Sequence, residues 1–147
     1  VRAVYVDTSV LGRVLLNEPD RPAIQAALED VDELVSSRLL WIELGRLARR
    51  RDAEFAARGK PREFAVLAQE LLQGIALIPL EDDLLDPDDM LGEAERIAPY
   101  SVATLDAIHL ATAAWLARHD LLNTVMTYDK RLAEGASEHG LTVLAPE

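Results

Sequence analysis

Five short apolar runs, rich in β-branched residues and separated by stretches of helical periodicity, constrain this chain most. They are Ala3-Val4-Tyr5-Val6, Leu34-Val35, the IALIPL segment at 75–80, Thr124-Val125-Met126-Thr127 and Leu141-Thr142-Val143-Leu144. Runs of this kind suit strands covered on both faces, as in parallel sheets. Between them the spacing predicts helices over 22–30, 38–56, 61–73, 88–97, 103–119 and 129–138. Pro22 suits a first helical turn, and Gly74 and Gly140 are expected to close the helices before them. Over 38–56 the apolar face is read as Leu39, Ile42, Leu47 and Ala48, with the arginines opposite; over 61–73 it is read as Phe64, Leu67, Leu71 and Leu72. Strands alternating with helices imply an α/β fold, a three-layer α/β/α sandwich around a mainly parallel five-stranded sheet. With 147 residues and no linker, repeat or low-complexity segment, residues 1–147 read as a single domain.

Composition narrows the chemistry. The chain has no cysteine, which removes disulfides, thiolate nucleophiles and Cys-based zinc sites, and the only histidines are His109, His119 and His139. Any metal should therefore be hard and held by oxygen. No apolar stretch approaches the roughly 20 residues of a membrane span, and the opening VRAVYVD turns polar too soon for a signal peptide. A cytoplasmic protein is expected.

The formal net charge of −11 is, taken alone, ill suited to nucleic acid. Its distribution softens the objection. Residues 38–62 hold eight of the fifteen basic side chains, including Arg46, Arg49 and Arg50, against three acids, whereas 81–95 hold eight acids and no base. Both charged stretches also read as solvated helix surfaces.

Four acids occupy positions that cost stability unless they are satisfied. Asp7 ends an apolar strand ahead of Thr8-Ser9, and Asp129 follows Thr127-Tyr128 just past the fourth strand. Open α/β sheets bind ligands outside the carboxyl ends of their strands. Asp106 opens the apolar helix SVATLDAIHLATAAWL, and Glu43 lies among Leu40, Trp41, Ile42 and Leu44. Each has a plainer reading. Asp7, Asp106 and Asp129 are able to cap helices, and Glu43 is able to pair with Arg38 or Arg46. The order of elements, however, brings all four to one sheet edge, where repelling carboxylates call for a hard cation. Carboxylate-held Mg²⁺ or Mn²⁺ lowers the pKa of a bound water and steadies a leaving oxygen, which is phosphodiester hydrolysis.

The segments VYVDTSVLGRVLLNEP at 4–19, SSRLLWIELGRLARR at 36–50, LDAIHLATA at 105–113 and MTYDKRLAEGASEHGLTVL at 126–144 carry a resemblance over nearly the whole chain. In this order and spacing they resemble PIN-domain proteins, most closely the VapC-type toxins of bacterial toxin–antitoxin pairs. The family's four acids map onto Asp7, Glu43, Asp106 and Asp129, and a hydroxyl two residues after the first maps onto Ser9. Thr8 and Thr127 are further supporting hydroxyls. The resemblance implies an endoribonuclease using Mg²⁺ or Mn²⁺, an RNA substrate, a homodimer and a VapB-like antitoxin whose C-terminal tail lies along the active-site groove. Arg46, Arg49 and Arg50 are candidates for RNA or partner contact.

His109, one turn after Asp106, is read as a core histidine close to the site, and Trp41 and Trp115 as packing or interface residues. The acidic segment at 82–89 is read as surface. A haloacid-dehalogenase phosphatase needs a second Asp where Ser9 stands, a receiver domain needs paired acids at its first strand, and a serine hydrolase needs a G-x-S-x-G elbow; the chain has none of these. A PIN nuclease for structured DNA would need extra clamping helices. The alternative of another class is a catalytically silent PIN-like module that binds a protein or RNA partner.

Overall fold

The computed structural model describes residues 2–80 and 90–147. Its elements run β1 (Ala3–Val6), α1 (Thr8–Leu15), α2 (Arg21–Glu29), β2 (Glu33–Ser37), α3 (Leu39–Ala57), α4 (Phe64–Gln73), β3 (Ile75–Ile78), α5 (Met90–Arg96), α6 (Thr104–Arg118), β4 (Thr124–Met126), α7 (Lys130–Glu138) and β5 (Thr142–Leu144). The five strands form one sheet in the order β3-β2-β1-β4-β5, and every pairing is parallel. The acidic segment at 82–89 lies outside the described residues.

Alternation along the central strands sorts the core into two layers. Val4, Val6 and Met126 pack with Val10, Ile24, Leu40 and Leu44 from α1 to α3, and with Ala68 and Leu72 of α4. On the other face Tyr5 and Val125 pack with Leu110, Ala111 and Trp115 of α6, Leu132 of α7 and Met90 of α5. Helices therefore cover both faces, and the architecture is the three-layer sandwich.

Two apolar faces differ from the sequence reading. On α3 the buried stripe is Leu40, Leu44 and Ala48 with Leu39, while Ile42 is 54% exposed beside a half-exposed Trp41. At 100° per residue, Ile42 lies too far round the helix from the Leu40–Leu44–Ala48 line to reach the same neighbours. On α4 the buried residues are Ala68 and Leu72, and Leu67 is 46% exposed. α4 also begins later than periodicity suggests. Its first free N–H groups, at Phe64 and Ala65, donate to the two carboxylate oxygens of Asp52 at 2.7 and 3.0 Å. An acid from the preceding helix thus caps it at residue 64. Gly74 ends α4 with φ −87°, not in a left-handed turn, and leads straight into β3. Gly140 does adopt φ +79°, the conformation glycine tolerates after a helix.

The pairing register positions the site. Val6 is level with Met126, so the residues that follow, Asp7 and Thr127, emerge side by side from the carboxyl edge. Ser36 and Ser37, the last two residues of β2, reach the same edge. The Ser36 hydroxyl donates to the Val6 carbonyl at 2.6 Å, tying β2 to β1 where the strands end.

Candidate active site

Asp7 is 3% exposed, a burial that carboxylates rarely reach without partners. It occupies the N-cap position of α1 but makes no side-chain cap there. Its oxygens are instead held separately, Oδ1 by the Ser9 hydroxyl at 2.6 Å and Oδ2 by the Thr127 hydroxyl at 2.8 Å. Burial raises its pKa, and these two hydrogen bonds oppose the rise. Both hydroxyls are themselves aimed by backbone donors, Tyr128 N–H to Ser9 at 2.9 Å and Asp129 N–H to Thr127 at 3.0 Å. With backbone hydrogens pointing at the hydroxyl oxygens, the hydroxyl hydrogens turn to the carboxylate.

Glu43 approaches from α3. Its Oε1 accepts from the Thr8 hydroxyl at 2.8 Å and lies 2.6 Å from His109 Nε2. These contacts replace the pairing with Arg38 or Arg46 considered from sequence; the Arg38 guanidinium stacks 5.0 Å from the Trp41 ring instead. Asp129 does cap a helix: its Oδ1 accepts from the Leu132 N–H at 2.9 Å at the start of α7.

Asp106, in the first turn of α6, accepts no hydrogen bond among the described residues. Its carboxyl is pushed up to about 6, by burial first and then by the negative charges of Asp129, Asp7 and Glu43. Asp106 therefore feels the charge of the other three acids at the carboxyl edge. As they stand, no three acidic or histidine side chains among the described residues are gathered closely enough to hold an ion.

A cleft beside these acids is lined by Thr8, Ser9, Glu43, Arg46, Arg50 and Leu105. Arg49 instead joins Arg46 along an adjoining groove between α3 and α4, beside Trp41 and Ile42. Basic side chains thus flank the acids.

The family model described as PIN domain matches residues 4–138. The chain belongs to the PIN-domain family. It is 33% identical to Ribonuclease VapC47 of Mycobacterium tuberculosis (strain CDC 1551 / Oshkosh), covering 97% of this chain and 96% of the relative. It is also 33% identical to Ribonuclease VapC46 of Mycobacterium tuberculosis (strain ATCC 25618 / H37Rv), covering 98% of each. Among solved structures, the sarcin–ricin loop cleaving toxin VapC20 of Mycobacterium tuberculosis superposes with a TM-score of 0.65 at 16% identity, over 97% of this chain and 99% of that one. FitAB bound to an IR36 DNA fragment gives 0.57 at 18%, over 96% and 93%. These two likenesses bear on the fold.

Two side chains of this PIN domain belong to the site that sequence reasoning had left outside it. His109 is 1% exposed, as a core histidine would be, yet it touches Glu43. Tyr5, on the central strand, carries a buried hydroxyl 2.6 Å from His109 Nδ1. Burial drives the pKa of that phenol far upward, so it keeps its proton. A polar ring in the middle of a parallel-sheet strand was the available signal for Tyr5, because a buried phenol needs a partner.

Proposed function

We propose that this chain is a divalent-metal-dependent endoribonuclease, the toxin of a VapBC-type pair. The observation that carries the reading is the buried Asp7 carboxylate, fixed through both oxygens, with Glu43, Asp106 and Asp129 sharing its electrostatic field.

The donors fit Mg²⁺ or Mn²⁺ in kind. They are all oxygen, they repel one another, and such ions keep several waters and take few protein ligands. When bound, the ion supplies a water of lowered pKa and counter-charge for the leaving oxygen. Asp7 is the ligand already oriented, by Ser9 and Thr127. Glu43 is held ready by Thr8. Asp129 has one oxygen committed to α7, and its other oxygen is the one offered to the site. Asp106, with a carboxyl near neutrality, is suited to orient a water and accept its proton. Arg46 and Arg50 meet the RNA backbone along the cleft, and Arg49 extends that basic track. A homodimer and inhibition by a VapB-like antitoxin complete the proposal, supported by the similarity to the VapC ribonucleases.

That the acids are not gathered at ligating distance favours a second reading, a silent module that only binds a protein or RNA partner. One experiment separates them: RNA cleavage by purified protein with Mg²⁺ or Mn²⁺, with chelator, and for Asp7→Asn. Metal-dependent cleavage lost in Asp7→Asn is expected. Cleavage that survives both chelation and the substitution refutes the metallonuclease; no cleavage with any metal or RNA favours the silent module.

A further inference from the structure

We propose that His109 is a positioning residue for Glu43, itself set by the Tyr5 hydroxyl, so that a core tyrosine governs the orientation of a carboxylate at the site. The inference rests on the reading of Glu43 as a metal ligand.

For a neutral imidazole, one proton order serves every contact in the hydrogen-bond chain. The Ser37 N–H donates to the Tyr5 oxygen at 3.1 Å. The phenol has a single hydrogen, and it points to His109 Nδ1, 2.6 Å away. Nδ1 is then the acceptor nitrogen, and Nε2 carries the hydrogen that goes to Glu43 Oε1 at 2.6 Å. A carboxylate accepts only, so this tautomer suits Glu43, and the opposite one would set two lone pairs face to face. The tautomer is inferred from the network as a whole.

Position makes the contact more than packing. Glu43 sits on α3 beside exposed Trp41 and Ile42, where a long, unheld side chain samples many rotamers. Tyr5 and His109, by contrast, are locked between β1 and α6, their rings edge to face at 5.8 Å between centroids. Both donors, His109 and Thr8, converge on Oε1. Oε2 has no partner among the described residues and is left as the ligating oxygen. Groups that orient metal ligands in this way are typically worth about 10–100-fold in metal affinity.

The test is Mn²⁺ binding by calorimetry and by electron paramagnetic resonance, together with the Mg²⁺ dependence of RNA cleavage. The variants are His109→Leu, His109→Gln, Tyr5→Phe and, as reference, Glu43→Gln. Expected for His109→Leu is Mn²⁺ binding weakened roughly tenfold or more, with cleavage recovered at high Mg²⁺. His109→Gln, whose amide N–H replaces Nε2–H, restores most of the affinity, and Tyr5→Phe falls between. A folded His109→Leu that binds Mn²⁺ as tightly as the unsubstituted protein, while Glu43→Gln binds weakly, overturns the positioning role alone. If Glu43→Gln itself binds normally, the ligand reading of Glu43 falls and takes the inference with it. If His109→Leu does not fold, Tyr5→Phe decides, and unchanged Mn²⁺ affinity there overturns the proposal.

Discussion

Replacing Asp106 by Asn should make the metal-free protein more stable near neutral pH. In the fold, burial and then Asp129 lift this carboxyl from 3.8 to about 6. The folded state therefore binds the proton more tightly than the unfolded chain. Its stabilising effect is complete below 3.8 and is lost as pH rises through about 6, so above that value the ionised group is a liability. The full gap corresponds to roughly 3 kcal/mol at neutral pH. Because the side chain is partly open to water, screening reduces this to about 1 kcal/mol, or a melting temperature higher by roughly 2–4 °C. Thermal and urea unfolding in chelator, near neutral pH and again near pH ~4, read it directly. The gain should be present in the first condition and absent in the second. Saturating Mn²⁺ should reverse the ranking, because an ion that binds only the folded state stabilises the intact site more. An Asp106→Asn protein no more stable than the parent near neutral pH, or equally favoured near pH ~4, refutes the charge argument.

Thr127→Val keeps the shape but removes the donor to Asp7 Oδ2 and the acceptor for the Asp129 N–H. It should cost about 1–3 kcal/mol in urea unfolding near neutral pH, and less in acid, where Asp7 is neutral. Two helical glycines should respond with opposite signs. A Cβ at Gly45 meets nothing within 4 Å, so Gly45→Ala should gain about 0.5–1 kcal/mol from helix propensity. At Gly135 a Cβ would come within 2.8 Å of Leu110 Cδ2 and 3.4 Å of Val102 Cγ2, and Gly135→Ala should lose about 1–2 kcal/mol of thermal stability.

Much of the fold was legible because local pattern and global architecture agree. The run ending at Asp7 and the run ending before Asp129 read as buried parallel strands, and they are hydrogen-bonded neighbours. The family resemblance marks the Ser9 hydroxyl as a support, with Thr8 and Thr127 as further candidates, and each donates to an acid. Less legible was anything decided by partners far along the chain. The helix at 64 starts where it does because of Asp52. Ile42 and Leu67 count as core by composition, yet the neighbouring elements leave them uncovered. The Tyr5–His109–Glu43 chain joins residues up to 104 positions apart; the sequence marks Glu43 as a site acid and His109 as a core histidine near it, but nothing in it links them to Tyr5. Nor does a list of acids say how closely they gather; that depends on rotamers which hydroxyls and a histidine have already claimed.

The opening turn of α1 serves two masters at once. Consecutive residues there grip different acids, Thr8 holding Glu43 and Ser9 holding Asp7. A lever applied to this one turn, by anything wedged into the cleft that Thr8 and Ser9 help to line, would loosen both grips together. The aim of both carboxylates therefore stands or falls with the position of one turn of backbone.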